Sequence, residues 1–310
     1  MIDVSCILIN FNTSQYTINC VQSIIENTDN DVSYEIIIVD NASIYQDYEK
    51  LKLAVNQISD TKIKLIRSKL NTGFGGGNMI GFDNARNCSY FAFINNDTLF
   101  TSENTLAKLI QFMNQTSRAA VCSPQMLDAN KNFRRTIDHF SSPIREIFKR
   151  STLELINPKR YPNRKIKYNK PLKVNYIQGA FMFIEANAFK NVCGFDTNLF
   201  LYYEESDICR RILQQEKKQT YLVPEVEYIH YESASSSKNI SMKIEQKISL
   251  LYYTKKHFGW SSKIILIFYF SFRYFFSSLI KPKNWKLFFL LLKGMPLSFS
   301  LKQKQVELNR

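Results

Sequence analysis

The sequence holds no CxxC pair and no cysteine–histidine spacing of the zinc-finger kind; its six cysteines, Cys6, Cys20, Cys88, Cys122, Cys193 and Cys209, are scattered. That excludes a cysteine-built metal centre and offers no disulfide framework. Thiols set in apolar runs fit a reducing, cytosolic compartment. No glycine-rich run ends in Gly-Lys-Ser/Thr, which excludes a P-loop, and no Gly-x-Gly-x-x-Gly follows the first strand-like run. The first residues lack a basic stretch followed by an apolar one, so no secretory signal is expected. No uninterrupted apolar run reaches the roughly 20 residues of a spanning helix. Acidic residues are scarce: 27 Asp and Glu stand against 41 Lys and Arg, giving a net charge of +14. Such a balance calls for an anionic partner. RNA- and DNA-binding signatures are missing, so nucleic acid gives way to nucleotide phosphates and an anionic membrane surface.

What is present is a 310-residue chain with 45% hydrophobic residues. That composition is globular, and the length suits one large domain with an appendage. Short apolar runs at Val4–Ile9, Tyr34–Val39, Ile63–Ile66 and Tyr90–Ile94 read as buried strands. Helical segments between them are expected over about 16–28, 45–58 and 78–87. This order predicts an α/β fold with a doubly wound, mostly parallel sheet, whose ligands bind at the carboxyl ends of the strands. Further strands over 174–185 and 220–230 predict a mixed C-terminal part of the sheet. Ahead of both, 130–173 reads as a Lys-, Arg- and Pro-rich cover of loops and short helices. From about 241 the chain reads as a helical appendage, rich in aromatics and flanked by basic residues. Its helices are expected to lie in a membrane interface or to pack as a buried pair. The predicted division is 1–240, with nucleotide-binding (1–128) and acceptor-binding (129–240) halves, followed by a 241–310 tail.

Four segments carry candidate chemistry. Glu204, Glu205 and Asp207 follow an aromatic-rich loop and open a helix. Crowded carboxylates beside apolar surface resist ionisation, which is one route to a general base; an acidic first turn that merely complements the helix dipole is the plainer reading. The run Asn71-Thr72-Gly73-Phe74-Gly75-Gly76-Gly77-Asn78 predicts a turn before a helix, where backbone can approach a ligand closely. Asn95-Asn96-Asp97 ends an apolar strand, where an acid either holds a divalent cation against phosphates or closes an Asx turn. His230 ends another strand and can supply a further metal ligand.

In their order along the chain, these segments resemble glycosyltransferase family 2 with the GT-A fold. Val4-Ser5-Cys6-Ile7-Leu8-Ile9-Asn10-Phe11-Asn12, Ile38-Val39-Asp40-Asn41-Ala42-Ser43 and Gly179-Ala180-Phe181-Met182 complete the set. The nearest subgroup is that of rhamnosyltransferase-like enzymes of bacterial surface polysaccharide synthesis. The resemblance implies that Asn10, Asn12 and Asn41 lie beside the nucleotide, and that Asp40 binds the base through an N–H of uracil or thymine. It places Asn71, Gly73, Phe74, Gly75 and Asn78 along the ribose and sugar, with Asn96 nearby. Asp97 becomes the last acid of a DxD-type motif whose first position here is Asn95, and it holds Mg2+ or Mn2+ together with His230. Glu205, standing where Asp is usual, becomes the base, with Glu204 and Asp207 as alternatives. Arg210 or Arg211 holds the acids or the diphosphate.

The expected activity is inverting transfer of a sugar, such as rhamnose, from a UDP- or dTDP-sugar to a saccharide acceptor on a polyprenyl lipid. The enzyme would work in the cytoplasm at the inner face of the plasma membrane, as a monomer or homodimer. A non-catalytic nucleotide-binding scaffold of a polysaccharide-synthesis complex is the competing reading. A nicotinamide enzyme suffers from the missing first-strand glycine fingerprint.

Overall fold

Runs of β-branched and aromatic residues form the strands, and three-to-four spacing of apolar residues forms the helices between them. The computed structural model describes residues 1–231 and 239–308. In the first third, β1 (Ile2–Asn10), α1 (Ser14–Glu26), β2 (Tyr34–Asn41), α2 (Tyr45–Ile58), β3 (Ile63–Ser68), α3 (Gly73–Asp83) and β4 (Cys88–Asn95) alternate. The short β5 (Thr98–Phe100), α4 (Thr105–Gln115) and β6 (Ala119–Leu127) follow. The cover contains β7 (Ile137–Asp138), α5 (Pro143–Phe148) and α6 (Arg150–Ile156). Then come β8 (Leu172–Val174), β9 (Tyr176–Ile177), β10 (Phe181–Glu185), α7 (Ala186–Asn191), α8 (Glu204–Arg211) and β11 (Gln219–His230). The tail is α9 (Ile240–Ile280) and α10 (Trp285–Leu292).

One sheet of nine strands runs in the order β3-β2-β1-β4-β10-β6-β11-β5, with β8 also on β11. Strands β3, β2, β1 and β4 are mutually parallel, and so are β6 and β11. Strand β10 is antiparallel to both neighbours, and β5 and β8 are antiparallel to β11. This is the mostly parallel sheet with a mixed C-terminal part that the sequence predicts. The 174–185 stretch, however, is three strands. The chain changes partners twice, with Val174 on β11, Tyr176 and Ile177 on β7, and Phe181 onward on β4 and β6.

The glycine-rich run also differs from its expectation. It is the first two turns of α3, not a turn ahead of a helix, and the close approach its glycines permit is to the protein itself. A Cβ on Gly77 would lie 2.8 Å from Ile9, and one on Gly81 2.4 Å from Ile7. Glycine there lets α3 pack directly against the Ile7 and Ile9 side chains of β1. Gly73 has a positive φ of 74°, and a Cβ there would strike the Phe200 carbonyl.

Helix α9 is long and apolar enough to cross a membrane by length and composition, but it is not straight. It breaks at Gly259, where φ is 82° and ψ is 180°. The Lys247 ammonium lies 3.8 Å from the centre of the Phe270 ring; a straight helix would separate these residues by about 35 Å. The two halves therefore fold back on each other and, with α10, build a separate apolar core around Ile248, Leu251, Leu266 and Leu287. The last segment returns to the main body. Glu245 accepts from Ser300 and the Leu301 N–H, Lys302 donates to the Thr197 carbonyl, and the Leu308 N–H donates to the Lys69 carbonyl.

Gly81→Ala is expected to destabilise the fold by about 1–3 kcal/mol through overpacking on Ile7, read as a lower midpoint in urea unfolding. An unchanged midpoint would show that α3 can lift off β1 at little cost.

Candidate active site

The sheet's register brings the predicted residues to one edge. Asn10 lies opposite Asp40, Ile9 opposite Asn95, and Phe181 opposite Ile94, so β10 begins where β1, β2 and β4 end. The Asn95 N–H donates to the Ala180 carbonyl at 2.9 Å. His230 ends β11 opposite Thr98 of β5.

Asn10 is fully buried and saturated. Its amide nitrogen is shared among Asp40 (2.9 Å), Ser43 (3.0 Å) and Asp47 (2.9 Å), and its oxygen accepts from Thr17 at 2.8 Å. It ties β1 to β2 and to helices α1 and α2, with both amide hydrogens spent on these neighbours. Asp40 is equally buried. One oxygen takes the Asn10 bond, and the other faces the Ser43 N–H at 3.3 Å and the Arg67 guanidinium at 3.6 Å. A base contact at Asp40 would have to share an oxygen that already has one of these partners. Arg67, which sequence reading missed, lies 4.1 Å over the Tyr48 ring and puts a cation and an aromatic face at this rim. Asn12 has a left-handed backbone; its side-chain oxygen accepts from the Ile44 N–H at 2.8 Å, closing the loop beside the exposed Phe11.

Asn41 and Asn71 shape the next loop. Asn41 accepts from the Thr72 N–H and hydroxyl and donates to Asn71 and the Gly73 carbonyl, while Asn71 accepts from the Gly73 N–H. These contacts hold the start of α3 in place. Phe74 packs on Phe195, and its N–H donates to the Phe200 carbonyl; that segment is thereby bound to the aromatic loop leading to the acids. Gly75 is in ordinary contact with the same loop. Asn78 is buried, with its amide nitrogen unpartnered among the described residues. Asn96 donates to Thr13 and Thr17.

Asp97 and His230 come together, with Asp97 Oδ1 3.0 Å from His230 Nε2. Two cis ligands on an octahedral cation with bonds near 2.1 Å also lie about 3.0 Å apart. A carboxylate oxygen and an imidazole nitrogen suit Mn2+ or Mg2+ in chemical type. Among the described residues no third His, Cys, Asp or Glu joins them. The pair fits a cation whose other positions go to phosphate oxygens and water. His230 Nδ1 is buried without a partner among the described residues.

The acids divide into two jobs. Glu205 keeps partial access to solvent, and its Oε1 accepts from the Gly179 N–H at 3.2 Å. A Cβ on Gly179 would lie 2.8 Å from that oxygen, so glycine there makes room for the carboxylate. Glu204, next to it, is buried with one oxygen unpartnered among the described residues. Burial first, and the neighbouring Glu205 second, push the Glu204 carboxyl well above the usual range. Burial also raises Glu205, with the Asp138 carboxylate adding and the Gly179 N–H opposing. Tyr202 and Tyr203, just before the helix, both have left-handed backbones, each at a cost of about 1–3 kcal/mol.

Asp207, weighed as an alternative base, is instead enclosed. Its oxygens bind Arg211 at 2.7 Å, His257 at 2.7 Å and Lys256 at 2.8 Å, with no exposed surface. Burial would raise its pKa, but His257, Arg211 and Lys256 prevail and hold it well below the usual carboxylate range. Arg211 thus holds an acid, as predicted for one of the two arginines. Arg210 does not: its guanidinium sits 4.6 Å from the Phe140 ring and 4.7 Å from Phe258, and donates to the Ser141 carbonyl. Sequence reading missed Lys256 and His257, because nothing local marks residues some fifty positions downstream as partners of Asp207.

An α/β sheet with this strand order is that of the GT-A fold of glycosyltransferases. The profile of glycosyl transferase family 2 matches residues 5–193, well over half of the chain, and the protein belongs to that family. The matched span includes Asp97 and Gly179 but stops short of the acidic helix and His230. Among solved structures, the chain is similar to the crystal structure of GalNAc-T7 with UDP, GalNAc and Mn2+. The TM-score is 0.59 at 15% identity over 81% of this chain and 48% of that one, so this chain spans about half the length of that protein. No curated protein matches the sequence.

Asp207→Ala is expected to cost about 3–5 kcal/mol, because it strands buried cations rather than merely removing a contact. Thermal unfolding of the purified chain measures this. A loss under about 1 kcal/mol, on the order of an exposed pair, would mean that the network is solvated.

Proposed function

We propose that the protein is an inverting glycosyltransferase that moves a sugar from a UDP- or dTDP-sugar to a hydroxyl of a saccharide acceptor. One observation carries the reading: Asp97 with His230, and Glu205 on Gly179, lie on either side of the Asn95–Ala180 backbone bond. The diphosphate belongs at the first pair and the acceptor hydroxyl at Glu205. Rhamnose as the sugar, a polyprenyl-linked acceptor and a role in surface polysaccharide synthesis follow from the resemblance of the sequence motifs. Residues 1–128 serve the donor, 129–240 serve the acceptor and 241–310 form the tail; residues 232–238 and 309–310 of this division lie outside the described ones.

Glu205 takes the acceptor hydroxyl proton as that oxygen attacks the anomeric carbon. The bond to the diphosphate breaks on the opposite face, and the configuration inverts. Its raised pKa makes Glu205 a stronger base than a free carboxylate, and Gly179 fixes its position. A Mg2+ or Mn2+ ion held by Asp97 and His230 would supply charge stabilisation to the departing diphosphate. Asn41, Asn71 and Gly73 set the loop beside the sugar. Asp207, with Arg211, Lys256 and His257, holds the helix that presents Glu205.

Calorimetry with UDP, dTDP, GDP and CDP, each with and without Mn2+, tests the donor site. Metal-dependent binding of UDP or dTDP is expected, with a loss of about tenfold or more in Asp97→Asn. A folded protein that binds none of the four would sink the donor-site assignment and favour the scaffold reading.

Glu205→Gln is expected to keep nucleotide binding and lower turnover by about 100-fold or more. The wild-type rate should fall as pH drops through a pKa above that of a free glutamate, because the protonated carboxyl cannot accept. Glu204, held higher by burial and by the Glu205 charge, is still neutral while Glu205 titrates, so Glu204→Gln should leave that midpoint in place. A midpoint that disappears in Glu204→Gln would assign the titration to Glu204.

A further inference from the structure

We infer that the α9–α10 unit is a docking surface for an anionic phospholipid bilayer, with its aromatic face inserted and a lysine cradle on the phosphates. This goes beyond the transfer reaction and rests on a separate part of the molecule.

The first observation is an apolar face with nothing described against it. The second half of α9 buries Leu266 and Phe270 in the tail core, yet its opposite side is also apolar. Phe268 is 73% exposed, Phe272 70% and Ile280 81%, with Ile265, Phe276 and Leu279 also exposed. Their spacing makes one continuous stripe. A helix that is apolar on both faces at a protein's surface has its outer face matched to something other than water.

The second observation is continuity. Ring contacts run from Phe272 to Phe276 (5.0 Å), to Phe275 (5.4 Å), across to Trp285 (5.9 Å) and on to Phe289 (5.7 Å). Phe289 lines a cavity of about 270 Å3 between the start of α9, α10 and the C-terminal segment. Its walls are apolar, and Lys286, Lys293 and Lys304 also line it. Lys243, Lys281 and Lys283 line a second hollow. None of these six lysines has a carboxylate within ion-pair distance among the described residues.

The third observation is charge of one sign. From Gln246 to Val306 there is no Asp or Glu, whereas lysines and Arg273 recur throughout. An aromatic face bordered by such lysines and a Trp matches the boundary between acyl chains and anionic headgroups. A second copy of the chain would set the lysines of both copies against each other, so the commitment is to lipid.

The test is co-sedimentation of the full chain with phosphatidylcholine vesicles, with and without phosphatidylglycerol. Binding is expected only with phosphatidylglycerol and should weaken with salt. Lys283→Glu with Lys286→Glu should lower partitioning by about thirtyfold or more, and Phe268→Ser with Phe272→Ser should abolish it. Circular dichroism and unchanged nucleotide binding would establish that the variants fold. Equal partitioning of wild type and variants, or no binding to phosphatidylglycerol vesicles, would overturn the proposal. So would a dimer in sedimentation analysis that Phe268→Ser with Phe272→Ser converts to monomer without any vesicle binding by wild type.

Discussion

The hydrogen bond from the Asn95 N–H to the Ala180 carbonyl joins two halves of the molecule that are built differently. On one side lie parallel strands whose carboxyl ends gather Asn10, Asp40 and Asn95. On the other, β10 runs the opposite way, so that its beginning, not its end, meets that edge. This reversal brings Gly179, and through it Glu205, beside the segment that carries Asp97. Had β10 been parallel, its first residues would lie at the far edge of the sheet, and Glu205 and the acid–histidine pair would sit on opposite sides. Catalysis by positioned groups tolerates errors of only about an ångström, so the strand's direction is as much a part of the site as any side chain.

Around that seam, most polar residues at the edge support the site instead of facing a ligand. Asn10, Asn41, Asn71 and Asn96 spend their hydrogen bonds on neighbouring loops. Buried amides of this kind are stable only when satisfied, and each joins elements distant in sequence. The result is a rigid rim against which Glu205, the Asp97–His230 pair and the Arg67 cation are set. Two adjacent tyrosines with left-handed backbones complete this arrangement at the start of α8.

The strand–helix alternation was legible because buried parallel strands read as unbroken apolar runs, and Asp40, Asp97 and His230 could be placed at strand ends from those runs alone. The pairing of Asp97 with His230 and the preference for Glu205 over Asp207 came from the family resemblance, not from the residues themselves. Three carboxylates in one helical turn look alike in sequence, and only burial and long-range partners separate them. Asp207 is defined by Lys256 and His257, Glu205 by Gly179, and no local pattern encodes either pairing. The glycine run shows the opposite failure. Its composition suggested approach to a ligand, but the same lack of side chains serves equally for approach to β1, and sequence cannot tell the two neighbours apart.

The Asp207 network also bears on how the chain comes to be folded. The helix that presents Glu205 is synthesised well before Lys256 and His257, which neutralise the acid at its centre. Until those residues arrive, Asp207 has only Arg211, and a buried carboxylate with one of its three partners favours the open helix. A ribosome-bound chain, or a fragment cut between the sheet and the tail, would therefore hold an unfinished α8 even with every strand in place. In order of assembly, the tail comes last and closes α8, so the helix that carries Glu205 is completed only after translation of the segment that we assign to the lipid surface.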